Sequence, residues 1–221
     1  QLNANVKNWL ITTLQQQFIA GTPQPITLEL TSGYLTSIVN EGVLTYSPDF
    51  VLAGSCTTSF STSSSNRINN IKVAAGHLNN MIIMPGQEVS VSTAILPRTS
   101  ANGYREAGAY LNGETVMAIG GGICQVSTTL YNAVLRAELE VTERSNHSMI
   151  VTYVEPADDA AIAGTYKDLK FKNTLDAPVY IEGVTSGKQV TFTIYGQETR
   201  PSNRTLKFES VTLSTTEPGV Q

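Results

Sequence analysis

The stretch GGGICQVSTTLYN, residues 120–132, decides how this sequence is interpreted. From Cys124 to about Glu140, apolar residues recur at the spacing of one helical face: Val126, Leu130, Ala133 or Val134, and Ala137. Three consecutive glycines lose much conformational entropy on folding, so the fold must require their freedom. We therefore predict a glycine-rich loop that brings bare backbone up to a ligand and starts a helix at Cys124.

A cysteine in the first turn of a helix has a specific chemical setting. The helix N-terminus carries partial positive charge and unpaired N–H groups, which predict a lowered pKa for the Cys124 thiol and a nucleophilic thiolate. The same N–H groups could form an oxyanion hole, and we assign substrate binding to Gly121, Gly122, Ile123 and Gln125. A phosphate cradle is excluded because no Lys-Ser/Thr pair follows the glycines. A plain tight loop with a buried cysteine remains open.

A thiol nucleophile usually needs a base, and the sequence contains only two histidines. His77 lies in a predicted helix and is assigned to the surface or to packing. His147 precedes the predicted strand 149–154, a position that holds a side chain rigidly, so we choose it as the base; a structural histidine is the alternative. A hairpin would bring Asp168 close to His147 as the orienting carboxylate, with Asp159 as the alternative.

Composition narrows the class of protein. Charged residues make up only 14% of the 221 residues, and the net charge is −4. Such a chain cannot neutralise a row of phosphates, so we exclude a nucleic acid as its partner. Two cysteines, Cys56 and Cys124, allow one disulfide, but the loop around Cys124 favours a free thiol. No cluster of His, Cys and Asp has the spacing of a zinc site, and we predict neither a metal nor an organic cofactor.

The fold class predicted from periodicity is α+β, with a largely antiparallel sheet and a central helix that starts at Cys124. We predict a small lead-in subdomain over residues 1–50, a catalytic domain over 51–197, and a final strand with a polar tail over 198–221. Predicted helices cover 6–20 and 69–79, the second with Ile71, Ala74, Ala75 and Leu78 on one face, and residues 97–108 are predicted to form a loop. Predicted strands cover 26–30, 88–95, 149–154, 169–172, 179–184, 190–195 and 206–213.

The cellular location is inferred indirectly. No apolar run approaches the roughly 20 residues of a membrane helix, and no signal peptide is present. We expect any export signal or membrane anchor to lie outside these 221 residues, and the neutral polar composition is typical of extracellular bacterial domains.

The motif at residues 120–132 resembles the signature of the VanW domain family. Flanking pieces agree with it: Asn66-Arg67, Asn70-Ile71, Ala74-Ala75, Leu78-Asn79, Pro85-Gly86, Arg98-Thr99, Gly103-Tyr104, Glu143-Arg144, His147-Ser148, Tyr153-Val154, the segment 168–173, and Ile194-Tyr195-Gly196. The family often has a histidine where Ser145 stands, which leaves His147 as the candidate base in this motif. The resemblance covers roughly residues 55–196.

The resemblance implies an L,D-transpeptidase in the cell envelope of a Gram-positive-type bacterium. Its substrates would be peptidoglycan tetrapeptide stems, joined by 3→3 cross-links through a thioester on Cys124, with His147 as base. The resemblance also extends substrate binding to Arg98 and Tyr104. An L,D-carboxypeptidase is a close variant. A non-catalytic peptidoglycan-binding module is the alternative from another class, in which the helix N-terminus holds stem carboxylates.

Overall fold

The computed structural model describes residues 50–111 and 114–214. The chain divides into two units, residues 1–51 and 52–221, and nearly all described residues belong to the second. The predicted helix 6–20, the predicted strand 26–30 and most of the lead-in subdomain lie outside the described residues. The three-domain organisation stays a prediction.

The described elements follow a mixed order of strands and helices. The strands are β1 (Phe50–Ser59), β2 (Met81–Ile83), β3 (Glu88–Ser90), β4 (Glu106–Leu111), β5 (Glu114–Ile119), β6 (Glu140–Glu143), β7 (Lys170–Lys172), β8 (Val179–Ser186) and β9 (Gln189–Gln197). The helices are α1 (Ser65–Leu78), α2 (Val91–Ala94) and α3 (Ile123–Arg136), with a 3₁₀ turn at Ser100–Asn102.

Three sheets form within the described ranges. Their strand orders are β1-β9-β8-β2, β3-β7-β6 and β4-β5. The pairs β2–β8, β3–β7, β4–β5, β6–β7 and β8–β9 are all antiparallel. The predicted α+β class with a largely antiparallel sheet arrangement is confirmed.

The two long helices bury the faces that their sequences predict. Helix α1 buries Ile71, Ala74, Ala75 and Leu78, and its N-cap Ser64 accepts a hydrogen bond from the backbone of Arg67. Helix α3 starts at Ile123, one residue before the predicted start, and buries Val126, Leu130, Ala133 and Val134. These residues join strands β8 and β9 in one apolar core. The core therefore holds the start of α3 rigidly, which matters because Cys124 lies there.

Several sequence predictions of local structure are wrong. Residues 149–154 form no strand, and neither do residues 206–213, which are exposed. The predicted strand 88–95 stops at Ser90, where the side chain of Ser90 caps the short helix α2. The loop predicted over 97–108 gives way to strand β4 at Glu106, because that strand pairs with β5. No helix of the described residues is long and apolar enough to cross a membrane.

Candidate functional site

The glycine run forms the tight turn between β5 and α3. Gly122 has φ +107°, a conformation that L side chains rarely adopt, and a Cβ there would lie 2.8 Å from Cγ of Arg67. A Cβ on Gly121 would lie 2.4 Å from the carbonyl oxygen of Ala107. The glycines thus allow the backbone of this turn to pack closely against strand β4 and against Arg67. This need exists whether or not a ligand also approaches the turn.

Most N–H groups of this turn are already used. The N–H groups of Gly121, Ile123 and Gln125 donate to the carbonyls of Ala118, Gly120 and Gly122 at 3.2, 3.2 and 3.0 Å. These three N–H groups therefore already have backbone acceptors, and their role in binding an anion stays a prediction. The N–H groups of Gly122 and Cys124 have no hydrogen-bond partner among the described residues. These two N–H groups are therefore unpaired within the turn.

Cys124 is a free, half-buried cysteine, and Cys56 is also free, so the prediction of an unpaired Cys124 is confirmed. Its Sγ donates a hydrogen bond to the carbonyl oxygen of Ile162 at 3.3 Å. Burial raises the pKa of the thiol, although the nearby charges of Arg98, Arg67 and Lys167 pull it down in part. The predicted lowering of this pKa by the helix terminus is therefore wrong, because desolvation outweighs it.

His147 is held by Asp159. Its Nδ1 and its backbone N–H each lie 2.6 Å from Oδ2 of Asp159, and its side chain is 7% exposed. Arg144 donates to Oδ1 of Asp159 at 3.0 Å. Burial would raise the pKa of Asp159, but the hydrogen bonds from His147 and the charge of Arg144 outweigh it and lower that pKa. Asp159 is thus an ionised acceptor that orients the imidazole.

Asp168 does not orient His147. Its Oδ2 accepts from Oγ of Ser90 at 2.5 Å, and its Oδ1 accepts from the backbone N–H groups of Ser92 and Leu169 at 2.8 Å each. The first choice for the orienting carboxylate was wrong because residues 149–154 form no hairpin strand. Asp168 instead satisfies backbone donors around helix α2.

A polar stripe on α3 contacts the segment that carries Asp159. Ser127 Oγ donates to the carbonyl of Ala160 at 2.6 Å, and Asn132 Nδ2 donates to that of Asp158 at 2.7 Å. With the Cys124–Ile162 bond, these contacts attach residues 158–162 along the helix, and Asp159 lies in that segment. Among the described residues, Cys124 makes no hydrogen bond to His147.

Three other predicted substrate-binding residues have different surroundings. Tyr104 is 1% exposed, donates to the carbonyl of Ile95 at 3.0 Å, and burial raises its pKa to about 12, so it is a core residue. Gln125 is 1% exposed and donates to the carbonyl of Ser59 at 2.8 Å, which ties α3 to β1. Arg98 is partly exposed, and its Cδ would lie 3.9 Å from a Cβ on Gly120. Only Arg98 is placed beside the thiol.

His77 is exposed, and its ring stacks on that of Tyr104 with a distance of 6.3 Å between the ring centroids. Both observations agree with its assignment to the surface or to packing. No group of three His, Cys, Asp or Glu side chains in the described ranges could hold a metal ion.

A family model described as "VanW like protein" matches residues 66–195, which is more than half of the chain and includes the site. The chain belongs to the VanW family. No solved structure matches it.

Two curated relatives support the VanW assignment. "Uncharacterized protein YoaR" of Bacillus subtilis (strain 168) is 34% identical over 145 residues, which are 66% of this chain and 48% of the relative. "Vancomycin B-type resistance protein VanW" of Enterococcus faecalis (strain ATCC 700802 / V583) is 30% identical over 122 residues, which are 52% of this chain and 44% of the relative. The chain spans about half the length of each.

Two further residues of this VanW-family chain belong to the site, and the sequence analysis assigned them no role. Arg67 and Tyr153 both interact electrostatically with Cys124. Burial raises the pKa of Tyr153, so its phenol stays neutral. Both residues lie in pieces that match the VanW pattern, at Asn66-Arg67 and Tyr153-Val154. The match to the family pattern could have pointed to these two residues. The sequence immediately around each of them does not indicate a chemical role.

Proposed function

We propose that this chain is the catalytic part of a cell-envelope L,D-transpeptidase that acts on peptidoglycan stem peptides through Cys124. The proposal is supported by VanW-family membership and by the resistance to vancomycin, a cell-wall antibiotic, named in one relative. The observation that carries it is the free, half-buried Cys124 at the turn into α3, with the His147–Asp159 pair attached through residues 158–162.

The first half-reaction would form a thioester. Cys124 Sγ rotates away from Ile162, passes its proton to Nε2 of His147, and attacks the carbonyl of the third stem residue. The N–H groups of Gly122 and Cys124 would stabilise the oxyanion. The C–N bond then breaks, and the imidazolium gives its proton to the amine of the departing D-Ala.

The second half-reaction would resolve the thioester. A side-chain amine of a second stem attacks the thioester carbonyl, and His147 accepts a proton from that amine. The C–S bond breaks, the proton returns to Sγ, and a 3→3 amide cross-link has formed. Water in place of the amine would make the protein a carboxypeptidase. No metal or organic cofactor takes part in these steps.

Purified protein incubated with disaccharide-tetrapeptide tests the proposal. Mass spectrometry should detect released D-Ala, an acyl-enzyme on Cys124 and 3→3 dimers. Cys124→Ala should give none of the three, while Cys56→Ala, which removes the other partly buried thiol, should give all of them. D-Ala release without dimers would indicate the carboxypeptidase.

A second candidate is a non-catalytic module that binds stem peptides. It is favoured by the raised pKa of Cys124 and by the absence of a Cys124–His147 hydrogen bond among the described residues. Tetrapeptide binding without turnover, equal in wild type and Cys124→Ala, would establish this function and exclude the enzyme.

A further inference from the structure

Arg67 lies directly over the turn that starts α3. Its Cγ would be 2.8 Å from a Cβ on Gly122, one of the two residues whose N–H groups are unpaired within the turn. Nη1 of Arg67 donates to Oγ of Ser63 at 2.6 Å. The guanidinium has five donors, and this side chain forms no other hydrogen bond within the described residues. Most of its donors are thus available next to the proposed reacting carbonyl.

Three positively charged side chains influence Cys124. Arg98, Arg67 and Lys167 each interact with the thiol and pull its pKa down in part. The groups that interact with Arg67 are Tyr153, Cys124 and Tyr110, none of which is a carboxylate. This local excess of positive charge occurs in a chain whose net charge is −4.

Two other arginines of the chain do pair with carboxylates. Arg144 pairs with Asp159 at 3.0 Å, and Arg200 pairs with Glu198 at 2.7 Å. Arg67 is partly buried, and desolvation is the largest influence on its pKa, which it lowers. A guanidinium nevertheless stays charged in proteins, so a partly buried cation without an internal anion suits an anionic ligand.

We propose that Arg67 binds the terminal carboxylate of the donor stem peptide, with Arg98 and Lys167 attracting that charge to the site. This inference rests on the proposed function. The carboxylate of the departing residue lies one residue beyond the carbonyl that Cys124 attacks, a span of at most about 3.6 Å. Arg67 next to Gly122 is in a suitable place to bind it while the Gly122 N–H faces the oxyanion. The site would then select stem peptides that end one residue after the reacting bond.

Two donor peptides test this role: the disaccharide-tetrapeptide and the same compound with a C-terminal carboxamide. Wild-type protein should have a kcat/KM for thioester formation about 10–100-fold higher with the carboxylate, as expected for a charged hydrogen-bonded pair. The amine that leaves from the carboxamide peptide is less basic and is therefore the better leaving group. Leaving-group chemistry alone would favour the carboxamide, so a preference for the carboxylate peptide must come from binding of the carboxylate. Arg67→Gln should lower kcat/KM for the carboxylate peptide about 10–100-fold, leave the carboxamide nearly unchanged, and bring the ratio close to 1.

Two further variants separate specificity from folding. Arg67→Lys keeps the charge but loses the planar two-pronged geometry, and it should retain an intermediate preference. Lys72→Gln removes an exposed cation from the same helix and should behave as wild type. Turnover without a carboxylate preference in wild type, or equal loss with both peptides in Arg67→Gln and Arg67→Lys, would overturn the role of Arg67 alone. No turnover of either peptide by wild type would overturn the proposed function and this role together.

Discussion

His147 and Asp159 are joined twice through one carboxylate oxygen. Oδ2 of Asp159 lies 2.6 Å from both the backbone nitrogen and Nδ1 of His147. An ionised carboxylate can only accept hydrogen bonds, so Nδ1 must carry a proton. In the neutral imidazole, Nε2 is then the nitrogen that can accept one. The pair therefore fixes both the orientation of the ring and its tautomer.

The two aspartates considered for this role can be separated by substitution. Asp159→Asn should lower the proposed thioester formation at least 10-fold, because the amide no longer fixes the tautomer of His147. It should also lower the free energy of unfolding by about 1–3 kcal/mol. Asp168→Asn should cost similar stability through Ser90 and Ser92 but should leave the rate per folded molecule unchanged. Urea unfolding and acyl-enzyme kinetics measure these effects.

The stability contribution of Asp159 should depend on pH in one direction. Its pKa is lowered below the ordinary 3.8, so its stabilising effect is present above that value and is lost as the pH falls through the folded-state pKa. The difference in unfolding free energy between wild type and Asp159→Asn should therefore shrink below about pH 4. A difference that grows in acid would contradict the lowered pKa.

The thiol of Cys124 should be slow to alkylate at neutral pH. Burial raises its pKa above the ordinary 9.0, so the thiolate fraction at pH 7 is smaller than that of an exposed cysteine. In a Cys56→Ala background, the rate of iodoacetamide labelling should rise through a midpoint above pH 9.0. The same protein unfolded in urea provides the control, with a midpoint near the ordinary value. A folded-state midpoint below that of the unfolded protein would restore the activated thiolate predicted from the helix terminus.

Gly121 and Gly76 should respond oppositely to alanine. A Cβ on Gly121 would meet the Ala107 carbonyl oxygen at 2.4 Å, and backbone cannot move aside easily, so Gly121→Ala should destabilise by about 1–3 kcal/mol. Gly76 lies exposed in helix α1 with nothing within 4 Å of a Cβ, so Gly76→Ala should stabilise by about 0.5–1 kcal/mol. Thermal unfolding of both variants checks this, and equal shifts would contradict the packing of the turn.

Asn132 should hold the segment that carries Asp159. Its Nδ2 donates to the carbonyl of Asp158, whereas Thr129 on the same helix contacts Thr58 of β1. Both Asn132→Ala and Thr129→Val should lose about 1–3 kcal/mol of stability. Only Asn132→Ala should speed amide hydrogen exchange in the peptide covering residues 157–163. Equal exchange in the two variants would mean that the segment is held elsewhere.

The predictions from sequence succeeded where one element determines its own environment. The 3.6-residue period of α3 and the stripe from Ile71 to Leu78 were visible because burial follows helical geometry. The strand predicted at 149–154 failed although Ile150, Val151 and Val154 favour strands, because no ladder forms there. Residues 158–162 farther along instead meet polar side chains of α3.

The sequence by itself determined the family pattern, the fold class, the helix beginning at the glycine run, and Cys124 and His147 as the candidate pair. Only the tertiary structure decided that Asp159 holds His147, that Tyr104 is a core residue and that Arg67 lies against Gly122. The tertiary structure also decided that the pKa of the Cys124 thiol is raised and not lowered. The physical reason is that these properties depend on contacts between residues far apart in the chain. A local spacing rule describes one helix, but burial and charge at a site depend on every segment that packs against it.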